Sequence, residues 1–87
     1  MEKKSVTVTL GGRKYTFASD ESEAYMQRVA QYADQRLLEM EHMSNLPMAQ
    51  NAILTCMNLS DELLKAQDEI SMLRRRLYDL NEHAAEE

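Results

Sequence analysis

Cysteine, proline and glycine are scarce in this sequence of 87 residues, which contains one, one and two of them. A single cysteine excludes an internal disulfide, and together with two histidines at no metal-ligand spacing it predicts no structural zinc site. So few turn-forming residues predict few, long elements. A chain this short buries only about 60% of its unfolded surface, and we therefore expect self-association to supply part of its stability.

An excess of positive charge is also lacking, since the formal net charge is −5. Nucleic-acid-binding proteins usually have the opposite balance, so we expect no nucleic-acid partner. No apolar run approaches the roughly 18–20 residues of a membrane span, and no leader pattern is visible, which predicts a cytoplasmic protein without direct membrane insertion. Without a glycine-rich phosphate loop or a cleft with paired carboxylates, we expect neither an enzyme nor a bound cofactor or metal.

The first residues have the alternation that is typical of strands. Val6, Val8 and Leu10 are separated by threonines, and Gly11-Gly12 follows. Two glycines suit a two-residue hairpin turn, in which both positions need positive φ. We predict a hairpin over residues 4–18, with one apolar face packed on a helix or on a second hairpin. Its register pairs Leu10 with Arg13, Val8 with Tyr15 and Val6 with Phe17.

Two helices are expected after the hairpin. Asp20 and Glu23 have the spacing of a capping box, which predicts that a first helix covers residues 20–43. Apolar residues then recur every three or four positions, as in an amphipathic helix. Pro47 is suited to the first turn of a second helix, and no glycine or proline follows it. That helix is predicted to extend roughly 54 Å, at 1.5 Å per residue.

The second helix has the heptad pattern of a coiled coil. We assign heptad position a to Ala49 and to every seventh residue after it, and position d to Ala52 and to every seventh residue after it. Positions a and d form the seam that faces a partner helix, and each of them is apolar or cysteine. Parallel and antiparallel pairing, and dimer and tetramer, all remain compatible with this pattern. The predicted oligomer interface consists of Cys56, Leu59, Leu63, Ile70, Leu73, Leu77 and Leu80.

The seam is broader in the first half of this helix. Ile53, Leu54, Met57 and Leu64 add apolar surface outside positions a and d, which is typical of a helix with several neighbours. We expect residues 1–64 to form a globular head and residues 65–87 a coiled-coil stalk. In the head, these four residues are expected to hold the helix against the first helix and the hairpin, while a partner chain also contacts it. The predicted fold class is α+β: an N-terminal hairpin and short helix form a small head, and a long C-terminal helix forms a coiled coil in an oligomer.

Three segments of the sequence, taken in their order along the chain, resemble the ZapA family of bacterial cell-division proteins in its short Gram-positive form. They are VTVTLGGRKYTF for the hairpin, VAQYADQRLLEM for the first helix and CMNLSDELLK for the second. The residues that match family motifs and are expected to be structural are Gly12, Asn58 and Glu62. Asn58 could instead contact a partner protein, and the sequence does not separate these roles.

The resemblance implies a non-enzymatic partner of FtsZ, the tubulin-like GTPase of the division ring at mid-cell. Members of the family form homodimers or tetramers and cross-link FtsZ protofilaments, which stabilises the ring. By position, the candidate FtsZ contacts are Arg13, Lys14 and Arg36, and the alternative is that these are solubilising surface charges. A generic cytoplasmic coiled-coil adaptor for another partner is the second interpretation, and a nucleoid-associated factor is the third.

Overall fold

Four regular elements make up the part of the chain that the structure describes. The computed structural model describes residues 2–86, with side chains for residues 2–84. It contains strand β1 (Lys4–Leu10), strand β2 (Arg13–Ser19), helix α1 (Glu23–Ser44) and helix α2 (Met48–Glu86). The predicted α+β class, with an N-terminal hairpin followed by a shorter and a longer helix, is confirmed.

The two strands form an antiparallel hairpin in the predicted register. Gly11 and Gly12 connect them and have φ values of 61° and 80°. Positive φ at both central residues is the signature of a type I′ turn, whose twist matches that of the flanking strands. The pairs are the expected ones, with Leu10 opposite Arg13, Val8 opposite Tyr15 and Val6 opposite Phe17.

The ends of α1 are fixed by side-chain and backbone caps. The Ser22 hydroxyl accepts a hydrogen bond of 3.1 Å from the backbone N–H of Tyr25. The prediction that Asp20 caps this helix is therefore wrong, because the chain turns once more before the helix begins. At the other end Asn45 has a left-handed backbone with φ of 52°, and its N–H donates to the carbonyl of Glu41 over 3.2 Å. Asparagine tolerates this conformation better than most residues, so the helix ends there.

Within the described residues, the buried apolar core lies between α1 and the first strand. Tyr15 and Phe17, on the same face of β2, are 43% and 44% exposed. The expectation that this face packs on a helix along both strands therefore holds for β1 alone. The core of the described residues consists of Val6, Val8 and Ala30, with Leu10 and Met26 partly buried against it.

A buried polar contact joins the start of α2 to α1. Asn51 is 1% exposed, and its Nδ2 donates to the carbonyl of Leu37 over 3.1 Å. Thr55, also buried, donates its hydroxyl to the carbonyl of Asn51 over 2.8 Å. The prediction that off-seam apolar residues hold α2 in its own head is wrong for Ile53 and Leu54, which are exposed, since an apolar arc does not indicate which chain supplies its neighbours. For Met57 and Leu64 it stays a prediction.

The chain divides into two compact units between Thr55 and Cys56. The first unit contains the hairpin, α1 and the beginning of α2, and the second contains the remainder of α2. The boundary that we expect after residue 64 stays a prediction, and the outer limits of the expected head and stalk, residues 1 and 87, lie outside the described residues.

Candidate functional site

The hairpin carries a local excess of positive charge. We define the basic hairpin surface as Lys3, Lys4, Arg13 and Lys14, all of which are exposed. Residues 3–19 contain no aspartate or glutamate, although the chain as a whole has a net charge of −5. Two of the three predicted contact residues, Arg13 and Lys14, belong to this surface. Such a local field attracts acidic partners and orients them before contact.

Arg36, the third predicted contact residue, is in a different situation. Its Nη1 lies 2.7 Å from Oε2 of Glu39, one helical turn further along α1, and its side chain is only 20% exposed. Part of its charge is neutralised by this carboxylate. The structure therefore leaves Arg13 and Lys14 more accessible to a partner than Arg36.

Polar side chains of α1 hold the hairpin in place. Asp34 accepts a hydrogen bond of 2.7 Å at Oδ1 from the backbone N–H of Gly11, in the turn. Gln27 donates from Nε2 to the carbonyl of Thr7, in the middle of β1, over 2.9 Å. These two bonds fix both the strand and the turn to one helix face. The orientation of the basic hairpin surface on α1 follows from them.

Sequence reasoning missed these polar contacts. Gln27 and Asp34 lie seven positions apart, on the same side of α1 as the apolar Met26 and Ala30. Polar residues inside an apolar stripe need hydrogen-bond partners, because burying them without partners is costly. This pattern was the available signal, although it does not reveal which backbone groups they bind.

The predicted oligomer interface is uncovered in a single chain. Cys56 is exposed and Leu59 is half-buried, and the later seam residues are exposed by roughly half of their surface. Large apolar side chains at heptad spacing are stable in water when a second helix covers them. The exposed leucine and isoleucine fractions are 58% for Leu63, 47% for Ile70, 55% for Leu73, 60% for Leu77 and 66% for Leu80.

The residues that match family motifs have different surroundings. Gly12 has φ of 80°, and a Cβ atom built there would meet no atom within 4 Å. Glycine is favoured at this position because of the positive φ of the backbone, since there is room for a side chain. Asn58 and Glu62 are half-buried, one helical turn apart on α2. A role for Asn58 as an inter-helix hydrogen bond, or as a contact to a partner, stays a prediction.

Together these features define a class of protein. It is a small α+β protein with a basic N-terminal hairpin and a long C-terminal helix that presents an uncovered coiled-coil seam. Within residues 2–86, neither helix contains a stretch that is long and apolar enough to cross a membrane. In the same part of the chain, no three histidine, cysteine or acidic side chains are grouped so that they could hold a metal ion.

Comparison with known proteins gives the family. The sequence model of the family described as "Cell division protein ZapA" matches residues 6–86. The chain is 33% identical over 73 residues to the cell division protein ZapA of Oceanobacillus iheyensis, covering 83% of this chain and 85% of that protein. It is 34% identical over 76 residues to that of Geobacillus kaustophilus, covering 86% and 84%.

A solved structure has the same fold. It is the "ZapA mutant dimer from Geobacillus stearothermophilus", with a TM-score of 0.70 and 31% sequence identity, covering 88% of this chain and 91% of that chain. This chain therefore belongs to the ZapA family of cell division proteins. The resemblance inferred from the three sequence segments is confirmed, and the relatives named above come from Gram-positive Bacillota.

Proposed function

We propose that this protein binds FtsZ and cross-links its protofilaments as a homo-oligomer, without enzymatic activity, and so promotes assembly and stability of the division ring. Membership of the ZapA family supports the proposal. One structural observation carries it further: a single chain has both an exposed basic hairpin surface and an exposed coiled-coil seam. The first surface is suited to contact another protein, and the second is suited to join copies of the chain.

Self-association follows from the exposed seam. Several leucines of the seam are about half exposed. Covering them with a partner helix would stabilise the protein by about 25 cal/mol for each Å² of apolar surface removed from water. A relative from Geobacillus stearothermophilus has been solved as a mutant dimer, which supports pairing of this chain as well. Pairing covers the seam from Cys56 to Leu80, in a homodimer or a tetramer. In this proposal residues 1–64 act as the head and residues 65–87 as the stalk.

Cross-linking then follows from avidity. Each copy contributes one weak contact with FtsZ, through the basic hairpin surface at Arg13 and Lys14. Joining the copies makes the second contact intramolecular, which raises the apparent affinity by about 10²–10⁴ when the geometry permits both contacts. The protein would act in the cytoplasm at mid-cell, where FtsZ filaments lie side by side.

Sedimentation of FtsZ polymers tests the proposal. Purified FtsZ is polymerised with GTP and centrifuged at a speed that pellets bundles and leaves single filaments in solution. We expect the wild-type protein to increase the pelleted fraction and to be found in the pellet itself. We expect the double variant Leu63→Glu/Ile70→Glu to lose this effect, because two buried carboxylates at the seam separate the oligomer.

Two outcomes would contradict the proposal at different points. If the double variant is monomeric by light scattering and still bundles FtsZ normally, the oligomer is not what cross-links the filaments. Failure of the wild-type protein to sediment with FtsZ at several salt concentrations would favour a generic coiled-coil adaptor for another protein.

A further inference from the structure

The outer edge of β2 is open. The sheet has two strands in the order β1–β2, so among the described residues β2 has no strand on its other side. Helix α1 packs on β1, where Gln27 binds the backbone carbonyl of Thr7. Every residue of β2 from Arg13 to Ala18 is exposed. The strand contains no proline and no bulge in its pairing, which are two of the usual protections of an exposed edge, and its charged residues, Arg13 and Lys14, lie at one end.

The register determines which backbone groups face outward along this edge. In an antiparallel pair, residues alternate between positions bonded to the neighbouring strand and positions whose N–H and C=O face away from it. Leu10 and Arg13 close the two-residue turn and form a bonded pair, so Thr7 and Thr16 form a non-bonded pair. Two contacts agree: the Thr7 carbonyl is free to accept from Gln27, and the two threonine hydroxyls lie 3.0 Å apart.

Three residues of β2 therefore present their backbone N–H and C=O groups at the open edge. They are Lys14, Thr16 and Ala18, at every second position of the strand. Another extended chain could add to the sheet here, since the groups have the spacing that a strand requires.

The side chains around the edge indicate the chemistry of such a chain. Arg13 and Lys14 lie at one end of β2, and residues 3–19 contain no aspartate or glutamate, so the carboxylate placed at this end is that of Asp34 on α1, which accepts from the Gly11 N–H. Tyr15 and Phe17 lie on the face of the sheet that packs against α1, and they are only partly covered there. Beside Phe17 there is an open apolar cavity of about 210 Å³ between the sheet and α1. An added strand with acidic residues near Lys14 and an apolar residue near Phe17 would match both.

We propose that β2 binds an extended, acidic segment of FtsZ by strand addition, as the third strand of the sheet. This inference rests on the proposed function and names the contact that carries it. A second copy of this chain is a poorer occupant, because its own β2 has the same positive charge and no acidic residue to pair with Lys14.

A pair of substitutions at Thr16 isolates the backbone contribution. Thr16→Pro removes the outward N–H and leaves the bonds between the two strands intact, because that N–H does not take part in them. Thr16→Val is the matched control, since it retains the N–H and a β-branched side chain. Both variants lose the hydroxyl contact with Thr7, so this contact does not distinguish them.

The measurement is binding to GTP-polymerised FtsZ by co-sedimentation over a range of concentrations, with circular dichroism and light scattering to verify fold and mass. We expect Thr16→Pro to bind at least about tenfold more weakly than the wild type, and Thr16→Val to remain within about twofold of it. Equal binding by Thr16→Pro and the wild type would overturn the strand addition and leave the proposed function standing. A wild-type protein that does not bind FtsZ would overturn both.

Two further outcomes are informative. If Thr16→Pro lowers the solution mass and Thr16→Val does not, the edge joins two copies of this chain and the inference is wrong. If Thr16→Pro fails to fold, amide hydrogen exchange of the wild type decides instead. We expect FtsZ polymers to protect the amides of Lys14, Thr16 and Ala18. The amides of Tyr15 and Phe17, already bonded within the hairpin, serve as the internal reference, and an unchanged pattern would contradict strand addition.

Discussion

The backbone N–H of Gly11 donates a hydrogen bond of 2.7 Å to Oδ1 of Asp34, across 23 residues of sequence. Gly11 lies in the tight turn of the hairpin, and Asp34 lies in the middle of α1. A carboxylate that accepts from a backbone N–H forms a stronger bond than a neutral acceptor does. This bond therefore fixes the tip of the hairpin, and with it Arg13 and Lys14, to the helix.

The first prediction concerns this bond. Replacement Asp34→Ala should lower the free energy of unfolding by about 1.5–3 kcal/mol, because the Gly11 N–H loses a charged partner. Replacement Asp34→Asn retains an oxygen acceptor and should cost roughly half as much. Urea unfolding at one fixed protein concentration measures both, since association would make the midpoint concentration-dependent. Equal losses in the two variants would show that the hydrogen bond is not the cause.

The second prediction concerns the turn glycine with positive φ and open surroundings. A Cβ atom at Gly12 would meet nothing within 4 Å, so any loss of stability on Gly12→Ala comes from the backbone conformation. We expect that loss to be about 1–2 kcal/mol. Gly12→Asn should cost less, because asparagine adopts positive φ more readily than alanine. Thermal unfolding of the two variants checks the order, and a larger loss for Gly12→Asn would contradict this reason.

The third prediction concerns the buried amide that joins the helices. Asn51→Ala removes the hydrogen bond from Nδ2 to the Leu37 carbonyl and leaves a space at a site that is 1% exposed. We expect a loss of about 1–3 kcal/mol in the free energy of unfolding. The preceding residue, Gln50, is exposed on the same helix, and Gln50→Ala should stay within about 0.5 kcal/mol of the wild type. A small effect at Asn51 would show that the contact with Leu37 contributes little.

Much of the fold could be predicted because its signals are local. The register of the hairpin follows from the alternation of Val6, Val8 and Leu10 and from a two-residue loop that only a few residue types accept. The long helix follows from the heptad pattern and from the absence of glycine and proline after Pro47. Both patterns are properties of a single segment, and neither depends on what packs against it.

The remaining features depend on contacts between distant segments. Nothing in the surroundings of Asp34 in the sequence indicates that Gly11 is its partner. The role of Asn51 was missed for the same reason, since its side chain donates a hydrogen bond to the carbonyl of Leu37 on another helix. Ile53 was assigned to the wrong neighbour, because apolar character predicts burial without indicating whether the same chain provides it. The pairing of Arg36 with Glu39 is different, because the two residues lie three positions apart on α1 and that spacing was a local signal that the charge argument did not use.

The fourth prediction separates two of the basic contact candidates, Lys14 on the hairpin and Arg36 on α1. Replacement Lys14→Glu reverses a charge on the basic hairpin surface and should weaken binding to FtsZ polymers by about tenfold, with a larger effect at low salt. Arg36→Gln should change binding by less than about twofold, because the guanidinium already pairs with Glu39 over 2.7 Å. Co-sedimentation at two salt concentrations measures both. If Arg36→Gln has the larger effect, the contact lies on α1 and not on the hairpin.

The fifth prediction tests the seam of α2 with two exposed apolar residues that differ mainly in heptad position. Ile70 is 47% exposed at position a, and Met72 is 55% exposed two residues later, at position c. Ile70→Glu places a carboxylate inside the predicted interface, where its burial is costly, and should shift the solution mass towards that of smaller species. Met72→Glu adds the same charge to the same helix outside the seam and should leave the mass unchanged.

Light scattering over a range of protein concentrations measures the solution mass of the wild type and both variants. Since the two substitutions have equal effects on net charge and similar effects on the helix, a difference between them reports on the heptad seam itself. If neither variant dissociates, Ile70 does not lie in the contact between copies, and association uses another part of the chain. If both dissociate, added charge weakens the assembly wherever it lies on α2, and the assignment of positions a and d loses its support.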